Sequence, residues 1–334
     1  MANVVLGLGT SHSPHLNIGP ELWAKRGEED HRHPMLYRVP DGTHVTYDEL
    51  MDTADSAIMK ELTQDVFERR HEANQRGIGA VAEALEEANP DVLVMVGDDQ
   101  HEVFQDDNMP ALAIYYGERI PYFPRAERGN GGPPTPGRST GAAAMSIYPQ
   151  ESMEFPCANE LALHMINSFV DNGIDVAHAK YFREGQPVGH AFVFVYHRIM
   201  NRKPIPTVLL MQNTYYPPAQ PTPKRSYEYG VAVRNAIESW EGNERVAVLA
   251  TGGLSHFVVD EELDRGALKA MKEKDAATLK SLPRERMQAG SSEIRNWITV
   301  AGATEHLDME VIDYVPCYRS PAGTGCAMGF ARWS

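Results

Sequence analysis

Apolar residues in this chain gather in short unbroken runs, each closed by glycine, proline or small polar residues. They fall at 3–9, 91–97, 110–116, 174–179, 190–197, 206–212 and 245–251. Runs of this length, apolar at successive positions and not alternating, predict strands buried on both faces of a sheet covered by helices. Helical periodicity lies between them, near 53–89, 157–171, 225–240, 261–281 and 292–302. Such alternation predicts an α/β fold: a three-layer α/β/α sandwich around a mixed, largely parallel sheet. No internal repeat is visible.

Two stretches break the pattern. Residues 20–50 are charged and rich in His, Pro and Tyr. Residues 118–156 are rich in Gly, Pro and Ser and include Gly129-Asn130-Gly131-Gly132-Pro133-Pro134. Irregular segments this long are usually functional or disordered. The chemical motifs described below flank both, so neither reads as an interdomain linker. The expectation is a single catalytic domain over 1–334, with 20–50 inserted as a lid.

Composition narrows the function. The chain has 334 residues, 42% of them hydrophobic and 23% charged, which is ordinary for a soluble globular enzyme. A net charge of −15 argues against sequence-independent binding to nucleic acid or to an anionic membrane. It also means that an anionic substrate needs a local Lys or Arg. Cys157, Cys317 and Cys326 lack C-x-x-C spacing, which suits a reducing cytoplasm and neither a disulfide framework nor a zinc knuckle. The N-terminal run is broken at once by Gly, Thr, Ser and His, and no apolar stretch approaches the roughly 20 residues that span a bilayer. A cytoplasmic location is expected.

Four segments, far apart, carry the candidate chemistry: Thr10-Ser11-His12-Ser13-Pro14, Gly97-Asp98-Asp99-Gln100-His101, Gly252-Gly253-Leu254-Ser255-His256 and Ser291-Ser292-Glu293. The first three closely follow the strand-like runs at 3–9, 91–97 and 245–251. In open α/β sheets, reactive groups collect beyond the carboxyl ends of the strands. Two imidazoles and a carboxylate with open positions are the ligand set of non-haem Fe(II) oxygenases, and they also serve hydrolytic zinc. A third histidine is then free to move protons.

Each residue alone also fits a plainer role. His12 suits a capped turn, and His101 an acidic turn whose Asp98 and Asp99 would orient a ligating imidazole. At Gly252-Gly253 the backbone can approach a ligand closely, because glycine carries no Cβ. His190, opening the run Phe192-Val193-Phe194-Val195, fits a core residue, and Glu293 fits a helix N-terminus. Convergence lifts them above these roles.

With these motifs in view, the chain resembles the class III extradiol ring-cleavage dioxygenases over nearly its whole length. It is similar to the catalytic β subunit of protocatechuate 4,5-dioxygenase and to single-chain gallate-type relatives. The resemblance is carried by Ser11-His12-Ser13-Pro14, Asp99-Gln100-His101, Gly189-His190, Thr214-Tyr215-Tyr216-Pro217-Pro218, Thr251-Gly252-Gly253-Leu254-Ser255-His256 and Ser292-Glu293-Ile294-Arg295-Asn296-Trp297. It implies Fe(II) held by His12, His101 and Glu293, with His256 as catalytic base and His190 as a second active-site histidine. Two departures stand out. Asp99-Gln100-His101 replaces Asn-Asp-His, and Pro321-Ala322-Gly323-Thr324-Gly325 lacks the substrate-binding serine after Pro-Ala. The β subunit is covered by a separate small subunit, a role that 20–50 would fill here.

The implied reaction is extradiol (meta) cleavage of a catecholic acid of lignin-derived, gallate or protocatechuate type. Its partners are a small aromatic diol and O2, with no nucleic acid or membrane, in a homodimer or other homo-oligomer. Cleavage of an o-aminophenol or dihydroxypyridine, or a zinc-dependent hydrolase on the same ligands, stands as the alternative. A family member without chemistry is disfavoured by the presence of both His190 and His256. Lys224-Arg225 offers a carboxylate anchor, though a solvated loop suits it better. No G-x-G-x-x-G or Walker A loop lies in a strand-to-helix context.

Overall fold

The computed structural model describes residues 1–122, 151–183, 188–201 and 203–334. The Gly129–Pro134 string and Pro187 lie outside the described residues. Among the described residues, nine strands form one sheet. They are β1 (Asn3–Thr10), β2 (Val92–Asp98), β3 (Leu112–Tyr115), β4 (Ala177–Ala179), β5 (Thr207–Gln212), β6 (Arg245–Thr251), β7 (His256–Val258), β8 (Met309–Tyr318) and β9 (Thr324–Trp333). Their spatial order is β7-β9-β1-β6-β2-β5-β3-β4, with β8 along the other edge of β9.

The four central strands β1, β6, β2 and β5 run parallel. β9 pairs antiparallel with β1, β7 and β8, and β3 antiparallel with β5. Successive apolar residues serve opposite faces, the period-two geometry of a strand. Val94, Val96, Val208, Leu210, Val246 and Val248 join one core. Leu93, Met95, Leu209, Met211, Ala247 and Leu249 join the other. Both faces are therefore dry, which is why these runs do not alternate in sequence.

Helices cover both faces. The first core takes α4 (Asn159–Asp171), α6 (Pro223–Glu238), α7 (Glu261–Lys272), α8 (Ala276–Lys280) and α9 (Ile294–Ala303). The second takes α3 (Gln64–Ala88) and α5 (His190–Phe194). Segment 20–50 is ordered as α1 (Trp23–Glu29), a small hairpin of Leu36–Tyr37 and His44–Val45, and the start of α2 (Tyr47–Met51). No helix among the described residues is long and apolar enough to cross a membrane.

The three-layer expectation holds, with local corrections. The run at 190–197 is not a strand. It forms α5 and continues as a π-helical turn over Val195–Ile199. An apolar stretch buried on all sides gives no period to tell strand from helix. The helix expected over 53–89 starts only at Gln64, after a 3-10 turn over Ser56–Glu61. The hairpin of β8 and β9 is not legible in the sequence, because Pro316 interrupts one strand and the other carries Gly and Ala, which are weak strand formers.

The insertion is tied to that hairpin by a buried ion pair. Arg319 donates from Nε and Nη2 to the two Asp30 carboxylate oxygens at 2.7 Å each, and the Thr324 hydroxyl donates to the same carboxylate. Breaking one side of a buried pair leaves an uncompensated charge, costing about 3–5 kcal/mol. Asp30→Ala should therefore lower the urea midpoint markedly. An unchanged midpoint would show that the pair does not anchor the insertion.

Candidate active site

The chemistry is assembled where the central strands end. Thr10 of β1 lies in register with Thr251 of β6, and Asp98 closes β2 beside Gln212 of β5. The segments that follow β1, β2 and β6 thus leave the sheet side by side. The first carries His12, the second Gln100 and His101, and the third His256. Glu293 arrives from the opposite direction, on a 3-10 turn over Ala289–Glu293 that leads into α9.

Polar residues lock α9 against the strand ends. Asn296 donates from Nδ2 to the Thr251 carbonyl at 3.0 Å and accepts at Oδ1 from Gln212. Trp297 donates to the Gly252 carbonyl at 3.0 Å. The paired glycines act as the sequence suggested. Gly253 donates its N–H to Glu293 Oε2 at 2.6 Å, and a Cβ there would fall 2.6 Å from the His256 ring.

Three imidazoles are held through the same nitrogen. The Thr251 hydroxyl donates to the Ala191 carbonyl, so it must accept from His12 Nδ1–H, 3.0 Å away. His256 Nδ1 donates to the Leu254 carbonyl at 2.8 Å, and His190 Nδ1 lies 2.8 Å from Glu102 Oε2. Nε2 is then the ring atom left for chemistry in each. Anchoring one nitrogen to an oxygen acceptor is the usual way to orient a metal-binding or proton-transferring histidine.

The Nε2 atoms meet carboxylates. His12 Nε2 is 3.7 Å from Glu293 Oε2, and His256 Nε2 is 3.4 Å from Glu293 Oε1. One ligand atom each from His12, Asp98 and His190 lie within 4.8 Å of one another. Gln100 bridges the two acids, donating from Nε2 to Asp98 at 3.1 Å and to Glu293 at 3.2 Å. His101 is placed differently. Its backbone has φ of 58°, its ring stacks on Tyr216 at 3.7 Å, and its Nε2 faces Asp106 at 3.1 Å. The structure thus brings His12, His190, His256 and Glu293 together, while the His101 ring lies on Tyr216.

Electrostatics follow from dry packing. Burial pushes His12 down to about 4, so it is a neutral donor near pH 7. Burial, then repulsion from Glu293, pushes Asp98 up to about 8. Burial alone would raise Glu293, but the facing His256 and His12 hold it near 2. Burial likewise opposes protonation of His256, yet the Glu293 carboxylate raises it to about 10. Two fully buried acids whose partners are amides and imidazoles suit a divalent cation, and the donor set fits one.

Sequence reasoning had read Asp98 only as an orienting carboxylate, and it passed over Glu102 and Gln100. Their one signal was position, in the acidic string that follows β2. Asp99 has a structural role, its carboxylate accepting from the Val103 and Phe104 N–H groups at 2.8 and 3.0 Å. Lys224 and Arg225 pair with Glu228 on α6 at 3.9 and 3.5 Å, in keeping with the solvated role.

Residues 57–327 match the family described as the catalytic LigB subunit of aromatic ring-opening dioxygenase. The chain belongs to this family. It is also similar to gallate dioxygenase of Pseudomonas putida (strain KT2440), with 33% identity over 104 residues. That match spans 30% of this chain and 29% of the relative, so the chain aligns with under a third of the curated protein.

In this family member the His256 turn rests on a further acid. Ser255 donates to Asp264 from its N–H at 2.8 Å and its hydroxyl at 2.6 Å, and Tyr314 donates at 2.8 Å. Burial still raises Asp264 to about 7. A carboxyl raised on folding binds more protons in the folded state, so its contribution to stability falls as pH rises from the ordinary carboxyl range to about 7. The stability advantage of wild type over Asp264→Asn should shrink between pH 5 and about 7.5 in thermal melts. A pH-independent difference would show that Asp264 titrates normally.

Proposed function

We propose that the protein opens a catecholic ring by extradiol cleavage, with O2 as cosubstrate and Fe(II) as its metal. The carrying observation is the convergence of His12, Asp98, His190, His256 and Glu293 at the carboxyl ends of the central strands, in a chain of this family. The nearest substrate type suggested by resemblance is a gallate- or protocatechuate-like acid, including lignin-derived ones. The curated relative, named a gallate dioxygenase, supports that choice.

His12 and Glu293 would hold the ion, with Asp98 and His190 in reach of it. A ferrous ion held by these residues would supply Lewis acidity toward a catecholic hydroxyl and a meeting point for substrate and O2. His256 is left to handle the proton. An imidazole fixed through Nδ1, with Nε2 facing the site, is placed to accept a proton there. Glu102 supports positive charge on His190 from the far side of its ring, which suits a group that returns a proton later. Segment 20–50 walls the site beside His256. His33 packs on Phe257 at 3.9 Å, and Met35, Tyr37 and Arg38 share a narrow cleft with His256.

Enzyme loaded anaerobically with Fe(II) and given a catechol panel should consume O2 and yield a ring-opened product. Hydrolysis without O2 uptake would favour a zinc hydrolase instead. Glu293→Ala should lose metal by elemental analysis. His256→Gln should keep metal and lose about 10²–10⁴-fold in turnover, the usual contribution of a general base. The third ligand is decided by His101→Ala. Retained metal assigns it to the His12–Asp98–His190 group, and lost metal assigns it to His101, as the family resemblance implies.

A further inference from the structure

Beside the reacting groups lies a second cluster that the reaction does not use. Trp23 and Arg26 sit three residues apart on α1 and so share one face. The His15 ring stacks on Trp23 at 4.7 Å. α1 is pressed against the β8–β9 turn, since a Cβ on Gly27 would fall 2.0 Å from the Arg319 carbonyl oxygen. Trp23 Nε1, Arg26 Nε and both His15 ring nitrogens are buried without a hydrogen-bond partner among the described residues.

The orphaned atoms have a common character. Trp23 Nε1 and Arg26 Nε can only donate, and a neutral His15 supplies one more N–H. No acceptor answers them. Asp30 is taken by Arg319 and Thr324, and Glu29 is exposed. Among the described residues Arg26 makes no hydrogen bond or ion pair: its guanidinium is partly buried, its Nε is left unpartnered, and Glu29 and Asp30 act on it only through space. Burial, then the positive charges of Arg319 and Arg26, drives His15 well below its ordinary range.

The cluster also borders the candidate active site. Ser13, next to His12, donates its hydroxyl to Cys326 Sγ at 3.3 Å, and Arg319 reaches the same sulfur at 3.6 Å. Cys326 pairs with His256 across β9 and β7.

We infer that Arg26, with Trp23 and His15, forms an anion subsite that receives the carboxylate of an aromatic acid substrate. Its substrate assignment rests on the ring-opening reading above; its ligand chemistry rests on the converging donors alone. A guanidinium matches a carboxylate bidentately. It also supplies the local cation that a chain of net charge −15 needs for an anionic substrate.

The test uses the full chain without O2, titrated with benzoate and its neutral analogue benzyl alcohol, with tryptophan fluorescence and calorimetry as readouts. Wild type should prefer benzoate by about tenfold or more, the scale of one charge-assisted contact. Arg26→Gln should lose that preference without weakening benzyl alcohol, and Arg26→Lys should keep part of it. With Fe(II) and O2, Arg26→Gln should raise KM for a catecholic acid about 10–100-fold, leave kcat nearly unchanged, and spare unsubstituted catechol. Arg26→Met should gain no Tm from benzoate where wild type does, which a merely structural arginine would not show. Equal wild-type affinity for benzoate and benzyl alcohol would overturn the proposal, as would unaltered benzoate binding in Arg26→Gln. Chloride or sulfate competing as well as benzoate would overturn the aromatic-acid assignment. If no catechol is opened but the Arg26-dependent benzoate preference holds, the ring-opening reading fails and the subsite stands.

Discussion

Two carboxylates, Asp98 and Glu293, are packed out of reach of water at the end of the sheet, and the surrounding structure is arranged to hold them there. Burial first, and then repulsion from Glu293, pushes the Asp98 carboxyl well above its ordinary range. Gln100 spans both acids, Gly253 donates to one, and Asn296 contacts the other. The imidazoles of His12 and His256 close the circle, each presenting Nε2 to Glu293 because Nδ1 is committed elsewhere. A site built this way has its polar groups oriented before any ligand arrives, which lowers the reorganisation cost of chemistry.

The same constraint explains features of the fold that do not touch the reacting groups. α9 must meet the strand ends closely enough to bring Glu293 in, so small residues and polar anchors replace bulk where it crosses β1 and β6. Gly9 lies against the Trp297 ring, and Trp297 in turn caps the Gly252 carbonyl. The apolar cores on the two faces of the sheet supply the rigidity against which these contacts are set. His101 holds a left-handed backbone conformation, uncommon outside glycine though less so for histidine, of the kind that collects at functional loops.

Segment 20–50 joins the catalytic end through charge as well as packing. Asp30 accepts both hydrogen bonds from Arg319, and among the described residues Arg26 on the same flank has no hydrogen-bonded carboxylate. The electropositive flank that results belongs to neither element alone. It exists because α1 of the insertion is seated on the turn between the last two strands, in a protein whose overall charge is strongly negative.

The sequence by itself determined the layers, most strands, and the meeting of four motifs at one sheet edge. Strands buried on both faces leave unbroken apolar runs, and a parallel sheet delivers the segments after them to one end. It also marked His12, His256, His190 and Glu293 as candidates that the structure gathers at one place. Only the tertiary structure decided that 190–197 is helical, because an all-buried run carries no period. It alone turned His101 onto Tyr216 and put Gln100 and Asp98 beside Glu293, since adjacent residues in a turn point in directions that spacing does not encode. The pairing of Asp30 with Arg319 joins residues 289 positions apart. A contact of that range is set by how the insertion packs, and no local pattern in the chain announces it.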